Sequence, residues 1–509
     1  MINKKRFVAI AAVCVAAAMT CVCAAGCSAT KKDSVNQNGK TVFPVSAYDE
    51  TLSIAMGDVM PFYDGGVMNI YHLRDDKDGI YYHPISRITT TDYVNYTDEG
   101  IALNYEKVAN SVDAALGTGS FIKDKEGNYH CFYTGHNDNA HDSDVDLPFT
   151  EVIRHAKSTD NQKTWIKDEN FKLYGYENDF RDPYVYYDAD ENLYHMLVTT
   201  RDYGCGVIKS YSSASLDAGH ADWHDEGIFF RNDTGDFNME CPSYIEYNGF
   251  YYLAYSEQGD NRVTHYRYRT EKNGEWKKFE RDSIDSSGFY AGRLEKAGED
   301  LYAFAWCAKL SGGSTGEFDW GGNLVVHKIK QLPTGELCGV LIPSVKEAFS
   351  TRVQYERING EKVSDFSFDG EKFAAYCMEK LAQNVTRVSF TVSFDELGGD
   401  FGITLGLDGK YDNRLGQGLI AFDGKNKSLT CYNNVSSILR YGPPLASVSF
   451  NYETGREYGV EIVIDGEILT VYLEETVCLT ARIPNIQKKN FAFYSNGAKA
   501  QIKGINFYE

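Results

Sequence analysis

Apolar positions in this chain fall in short runs. From residue 46 onward, stretches of Tyr, Phe, Val and Ile a few residues long are bounded by Gly, Asp and Asn. Such runs fit pleated strands and the bounding residues fit turns, while helical periodicity is scarce, so the pattern predicts an all-β protein. Five segments repeat one layout: a short strand, a turn containing Gly, Asp or Asn, then an aromatic-rich strand. They begin at Gly57, Gly117, Phe180, Met239 and Gly288, about 50 to 63 residues apart. A multi-stranded repeat of that length reads as a propeller blade, and five predict a five-bladed β-propeller over residues 46–345. A long β-sandwich is the alternative arrangement of the same strands. From residue 350 to 509 the runs are differently spaced and joined by Asp408-Gly409, Asp423-Gly424 and Asp465-Gly466. These predict a C-terminal antiparallel β-sandwich.

The first residues follow neither pattern. Lys4, Lys5 and Arg6 precede an apolar stretch from Phe7 to about Met19 that ends in small residues. It is too short to span a bilayer and reads as a signal peptide. Ala24-Ala25-Gly26-Cys27 resembles the lipobox of bacterial lipoproteins, which implies cleavage before Cys27, lipidation of its thiol, and an exported protein held to the membrane by lipid alone. Residues 28–45 are polar and unpatterned and read as a tether.

Charge and cysteine content narrow the chemistry. A net charge of −21 repels phosphates and argues against nucleic acid, leaving a neutral partner as the simple expectation. Eight of the 12 Cys lie beyond the leader, widely scattered. Without a Cys-x-x-Cys or Cys/His cluster they argue against a zinc site and read as buried apolar residues, with room for one disulfide. No metal and no cofactor is expected.

Acids recur at the start of the repeats. Asp58 stands eight residues before Gly66, Asp182 ten before Asn192, and Glu240 eight before Asn248; Ser120 and Tyr290 occupy the matching places in the other two repeats. Innermost propeller strands line the central channel, so equivalent positions on different blades converge there. Glycosidic cleavage needs this convergence. One carboxylic acid protonates the leaving oxygen, and a second carboxylate attacks the anomeric carbon or activates water. A third can stabilise the charge that develops on the sugar. Each acid also has a plainer reading: a turn cap for Asp58, an ion pair with Arg181 for Asp182, and a merely solvated carboxylate for Glu240.

The same segments resemble glycoside hydrolase family 32, the β-fructofuranosidases, inulinases and levanases. Arg181-Asp182-Pro183 looks like that family's arginine–aspartate–proline motif, and Met239-Glu240-Cys241-Pro242 like its glutamate–cysteine motif. Asp58 falls where the nucleophilic aspartate would be. The resemblance implies Asp58 as nucleophile, Asp182 as transition-state stabiliser and Glu240 as acid/base. It further implies that Arg181, His72, Ser120, Cys241 and Tyr290 touch the sugar, and that the substrate is a neutral, fructose-containing saccharide such as sucrose or a fructan. The first motif departs from the family: Gly57 replaces the asparagine before the nucleophile, and His72 stands where a glutamine is common. Three other readings stay open at this point. They are a family 43-like inverting arabinan or xylan hydrolase, a fructosyltransferase, and a non-catalytic sugar-binding lipoprotein.

Overall fold

The computed structural model describes residues 39–49, 52–75, 83–141, 145–176, 179–259, 262–310, 318–353, 365–370, 374–378, 385–407, 418–433, 444–487 and 489–509. The leader with Cys27, the tether up to residue 38 and the Asp408-Gly409 turn lie outside them. Four antiparallel sheets carry the five repeats, the fifth and first repeats sharing one of them. Their innermost strands are Met56–Asp64, Ala115–Lys123, Phe180–Asp188, Met239–Tyr247 and Tyr290–Ala297. In each blade the next strand returns through the turn that the repeat predicted, for example Val67–Arg74 after Gly65-Gly66 and Phe250–Glu257 after Asn248-Gly249. The five innermost strands contact one another in sequence, and the fifth contacts the first. The ring is also closed by hydrogen bonding: Gly322, in the Phe318–Gln331 strand of blade 5, pairs with Met56 of blade 1.

The aromatic content is spent between blades. Tyr71 of blade 1 stacks on Phe121 of blade 2, and Tyr186 of blade 3 meets Tyr244 of blade 4 with ring centroids 4.9 Å apart. Large rings reach across the wedge-shaped gaps between twisted sheets and bury area that smaller side chains would leave void.

The described residues between 352 and 508 form two packed antiparallel sheets. One has Val385–Glu396 between Lys499–Tyr508 and Glu457–Asp465; the other has Asp400–Leu407 between Asn490–Asn496 and Gly418–Asp423. Phe390 from the first sheet meets Phe401, Phe422 and Phe493 from the second in the core between them. Asp465-Gly466 makes its tight turn with Gly466 at φ +62°, the backbone region that glycine enters without strain. A short helix, Pro343–Ala348, joins propeller to sandwich.

Two expectations are corrected here. The unpatterned tether does not run free to Val45. Val42, Phe43 and Val45 are buried, Thr41 and Val42 donate to the Asp465 carboxylate, and Leu324 N–H donates to the Pro44 carbonyl. Backbone donors and acceptors pin this segment where apolar count alone gave no signal. Cys131, Cys205, Cys241, Cys307, Cys338, Cys431 and Cys478 are all free thiols, so no disulfide forms among these seven.

The sandwich meets blade 5 through a buried polar junction. Asp285 Oδ1 accepts the N–H groups of Ser286 and Thr480, and its Oδ2 lies 2.8 Å from His327 Nε2. His327 Nδ1 faces the Tyr472 hydroxyl at 3.1 Å, and Arg482 Nε donates to the Ala308 carbonyl. The His327 ring and the donated hydrogen bonds outweigh the cost of burial and hold the Asp285 carboxyl below its ordinary range. A depressed pKa contributes stability above the unfolded-state value, and that contribution is lost as pH falls through it. Asp285→Ala should therefore cost about 3–5 kcal/mol in urea unfolding at neutral pH, with the deficit narrowing below pH ~4 as the wild type loses the same ion. An unchanged unfolding midpoint would show that this junction does not hold the two parts together.

Candidate active site

Every innermost strand breaks register at the same place. The breaks fall between Gly57 and Met60, Leu116 and Gly119, Arg181 and Tyr184, Glu240 and Ser243, and Tyr290 and Arg293. Four of these bulges turn on a non-glycine residue in the left-handed region: Asp58 at φ +42°, Asp182 at +56°, Cys241 at +53° and Ala291 at +54°. In a regular strand, neighbouring side chains face opposite ways. A bulge re-aims them, so two consecutive positions per blade can serve one cavity. This corrects the expected equivalence. Asp58 and Asp182 share the left-handed position, whereas Glu240 occupies the position before it, together with Gly57, Leu116, Arg181 and Tyr290. The left-handed conformation costs on the order of 1–3 kcal/mol at a non-glycine residue and clusters at functional sites.

The three acids line one cavity of about 670 Å3, together with Arg181, Cys241 and Tyr290. Thr118 Oγ1 donates to Asp58 Oδ2 at 2.9 Å and Trp306 Nε1 donates to Oδ1 at 3.1 Å, so each oxygen of Asp58 takes one neutral donor. Burial first, and the Glu240 carboxylate second, push the Asp58 pKa above its ordinary value; the two donors and Arg293 oppose them. Asp182 takes the Cys241 N–H on Oδ2 at 2.9 Å, and its own N–H donates to Thr134 Oγ1. Burial raises the Asp182 pKa to about 7; Arg181 opposes this, while Glu240 and Asp58 add to it. Glu240 is held from both sides: Arg181 Nη2 donates to Oε1 at 2.9 Å and the Tyr290 hydroxyl donates to Oε2 at 2.5 Å. Burial and then Glu240 push the Tyr290 phenol well above its ordinary value, so it remains a proton-bearing donor. Arg181 is itself fixed by Asp179 at 2.7 Å and Glu151 at 3.4 Å.

Two of the expected sugar contacts are elsewhere. His72 is fully buried, with Nε2 2.7 Å from Ser46 Oγ and its pKa lowered to about 4 by burial. Its strand pairs outside the innermost one, so the ring packs within blade 1 and away from the channel. Ser120 is also buried, and its hydroxyl accepts the Val185 N–H; it ties blade 2 to blade 3. It stands three positions past Gly117, which matches the left-handed residues of the other blades in position, and so lies beyond the bulge that aims side chains into the cavity.

Other contributors were not singled out in the sequence. They include Trp306, inside the aromatic-rich strand of the fifth repeat, and Thr118, between Gly117 and Gly119. Arg293 is buried in blade 5, donates to the Gly119 carbonyl at 2.6 Å, and is a cation close enough to act on Asp58. The altered first motif has a steric correlate: a Cβ on Gly57 would lie 2.4 Å from Cζ2 of Trp320. The Trp320 indole stacks on His83 at 4.0 Å and occupies the space that a side chain at residue 57 would need. The cavity has thus exchanged an amide for an aromatic wall.

The description "Glycosyl hydrolases family 32 N-terminal domain" matches residues 83–331. That span contains Asp182 and Glu240 and begins after the strand that carries Asp58. The propeller thus carries a match to the N-terminal domain of glycosyl hydrolase family 32. No curated protein matches the chain by sequence. Among solved structures, fructan 1-exohydrolase IIa of Cichorium intybus is similar with a TM-score of 0.68 and 13% identity, over 89% of this chain and 95% of that one. The Bombyx mori family 32 β-fructofuranosidase follows with 0.66 and 16%, over 89% and 91%. Sucrose-6-phosphate hydrolase of Lactobacillus gasseri gives 0.65 and 17%, over 90% and 91%. The likeness covers 89–90% of this chain and so takes in its sandwich, which makes the two-part fold a shared one.

Proposed function

We propose that this family 32 chain is a retaining β-fructosidase in which Asp58, Asp182 and Glu240 carry the reaction. The observation that carries the reading is their meeting in one cavity from three different blades, each with a different set of hydrogen bonds. Asp58 is held by neutral donors only and suits the nucleophile. Its oxygen forms a bond to the anomeric carbon of a fructosyl unit as the bond to the leaving oxygen breaks. Glu240 gives its proton to that leaving oxygen. Water then attacks the fructosyl-enzyme, its proton passes to Glu240, and Asp58 is released. Asp182 stands beside both and steadies positive charge on the sugar ring. Tyr290 and Arg181 hold Glu240 in place through both steps. The scheme needs no cofactor. The substrate class is a neutral saccharide bearing a β-fructosyl unit. Among the similar solved structures, the fructofuranosidase of Schwanniomyces occidentalis holds fructosylnystose or fructose, and that of Bombyx mori holds sucrose.

The Lys4-Lys5-Arg6 start and Ala24-Ala25-Gly26-Cys27 support an exported enzyme anchored through lipid on Cys27. Cys27→Ala should move fructosidase activity out of the membrane fraction; an unchanged membrane-bound fraction would refute the anchor.

The acid assignments separate by leaving group. Glu240→Gln should lose roughly 10²–10⁴-fold in kcat/KM on sucrose or a fructan, and far less for fructosyl-enzyme formation from a fructoside whose leaving group departs without a proton. Asp58→Asn should show no such rescue. The pH profile adds a second readout. Asp58 must be ionised to attack, so the activity of the wild type falls as pH drops through its raised pKa. Removing the Glu240 charge removes one cause of that rise, so the acid limb of Glu240→Gln on the good substrate should move to lower pH. Equal losses on both substrates, or a limb that moves upward, would refute the assignment.

A further inference from the structure

Beside the catalytic cavity, the outer part of blade 3 carries a second cavity of about 550 Å3. Its wall adjoins the first: Phe180, which lines it, precedes Arg181, which lines the catalytic cavity, and the Phe180 N–H donates to Glu151 of the catalytic cavity. Ion pairs link the two across that wall. Asp179 takes Arg181 at 2.7 Å on one oxygen and faces Arg201, which lines the second cavity, at 3.8 Å on the other.

The rim of this second cavity is aromatic and unusually exposed. Tyr203 is 100% exposed and Tyr176 84% exposed. Tyr203 sits at the tip of the hairpin between Leu193–Asp202 and Cys205–Ser213, with φ +49°, followed by Gly204 at +81°. A two-residue turn of this kind favours Asn or Asp at that position, and a bulky aromatic is strained there. Tyr203 thus carries an unfavourable backbone conformation and leaves a large ring in water, with no packing in return. Below the rim, charged side chains are held in fixed positions. Lys209 bonds Asp225, Arg231 bonds Asp202, and the Lys209 ammonium lies 5.6 Å from the Tyr176 ring centroid. Exposed ring faces over fixed hydrogen-bonding groups form a surface suited to a neutral polyhydroxylated chain, whose C–H faces stack on rings while its hydroxyls meet the charged groups.

We propose that this cavity is a distal sugar-binding subsite that holds the chain of an oligomeric or polymeric β-fructoside while one of its fructosyl units lies at the acids. The inference rests on the β-fructosidase reading and names its substrate class: the enzyme is built for fructan and not for sucrose alone. The strained, exposed Tyr203 is the platform, Tyr176 is the second ring, and the shared wall at Phe180-Arg181 sets the direction of the chain.

The full-length enzyme tests this with sucrose, long-chain inulin and levan as substrates. Tyr203→Ala and Tyr176→Ala should each lower kcat/KM on the preferred polymer by roughly tenfold and leave sucrose within about twofold, because loss of one stacked ring costs on the order of a tenfold change in affinity. Tyr203→Asn should lose the same polymer activity with an equal or higher Tm, since asparagine accepts the left-handed turn; this separates a binding role from a folding defect. Tyr203→Trp should retain the polymer preference. A polymer-to-sucrose ratio unchanged in Tyr203→Ala, Tyr176→Ala and Tyr203→Asn overturns the subsite. Retardation of the wild type in native gels containing inulin or levan, lost in Tyr203→Ala, reads the site without catalysis. An enzyme that cleaves none of the three substrates yet shows that retardation refutes the β-fructosidase reading while the sugar subsite stands. An enzyme that cleaves sucrose but is not retarded by either polymer refutes the subsite alone.

Discussion

Three acids reach one point because five strands break register at one level. A propeller brings its innermost strands together, yet regular strands would aim successive side chains to opposite faces. The bulge overrides this alternation, and the left-handed turns at Asp58, Asp182 and Cys241 set which atoms enter the cavity. It also frees backbone groups for the cavity: the Cys241 N–H, released from the ladder, donates to Asp182. Closure of the ring through Gly322 and Met56, and the aromatic contacts between blades, hold these turns in a conformation that their residues would not choose alone.

Concentrating carboxylates carries an electrostatic cost, and the surroundings share it unevenly. Arg181 reaches Glu240 directly and is itself shared with Asp179 and Glu151, whereas Asp58 has only neutral donors in contact and Arg293 at longer range. Asp182 titrates near neutrality, at about 7. Burial raises both Asp58 and Asp182, and the carboxylates beside them add to the rise. Pre-set donors also mean that little reorganisation is needed when charge develops on the sugar.

Much of this was legible in the sequence. The short apolar runs between turn residues, the five repeats and the change of pattern near residue 350 carried the architecture, and the Arg181-Asp182-Pro183 and Glu240-Cys241 runs carried two of the acids. What stayed hidden was backbone conformation. Nothing in residue type says that Asp58 and Asp182 are left-handed and Glu240 is not, so the acids looked equivalent when they stand one position apart. His72 and Ser120 were placed by analogy of position, and only burial shows that they serve packing and blade contacts. Trp320 taking the space above Gly57, like the Asp285–His327 junction, joins residues so distant in sequence that no local pattern could have paired them.

The claim on which all of this depends is that Asp58 becomes covalently bonded to the sugar. Its direct test is to react Glu240→Gln with a fructosyl donor bearing a good leaving group, quench with acid and locate the added sugar by peptide mass spectrometry. The second step lacks its general base in this variant, so the intermediate should accumulate. The account predicts a fructosyl ester on the peptide containing Asp58, absent when Asp58→Asn is combined with Glu240→Gln. An adduct on Asp182 or on residue 240, or complete turnover with no adduct at any time and inverted product, would contradict it.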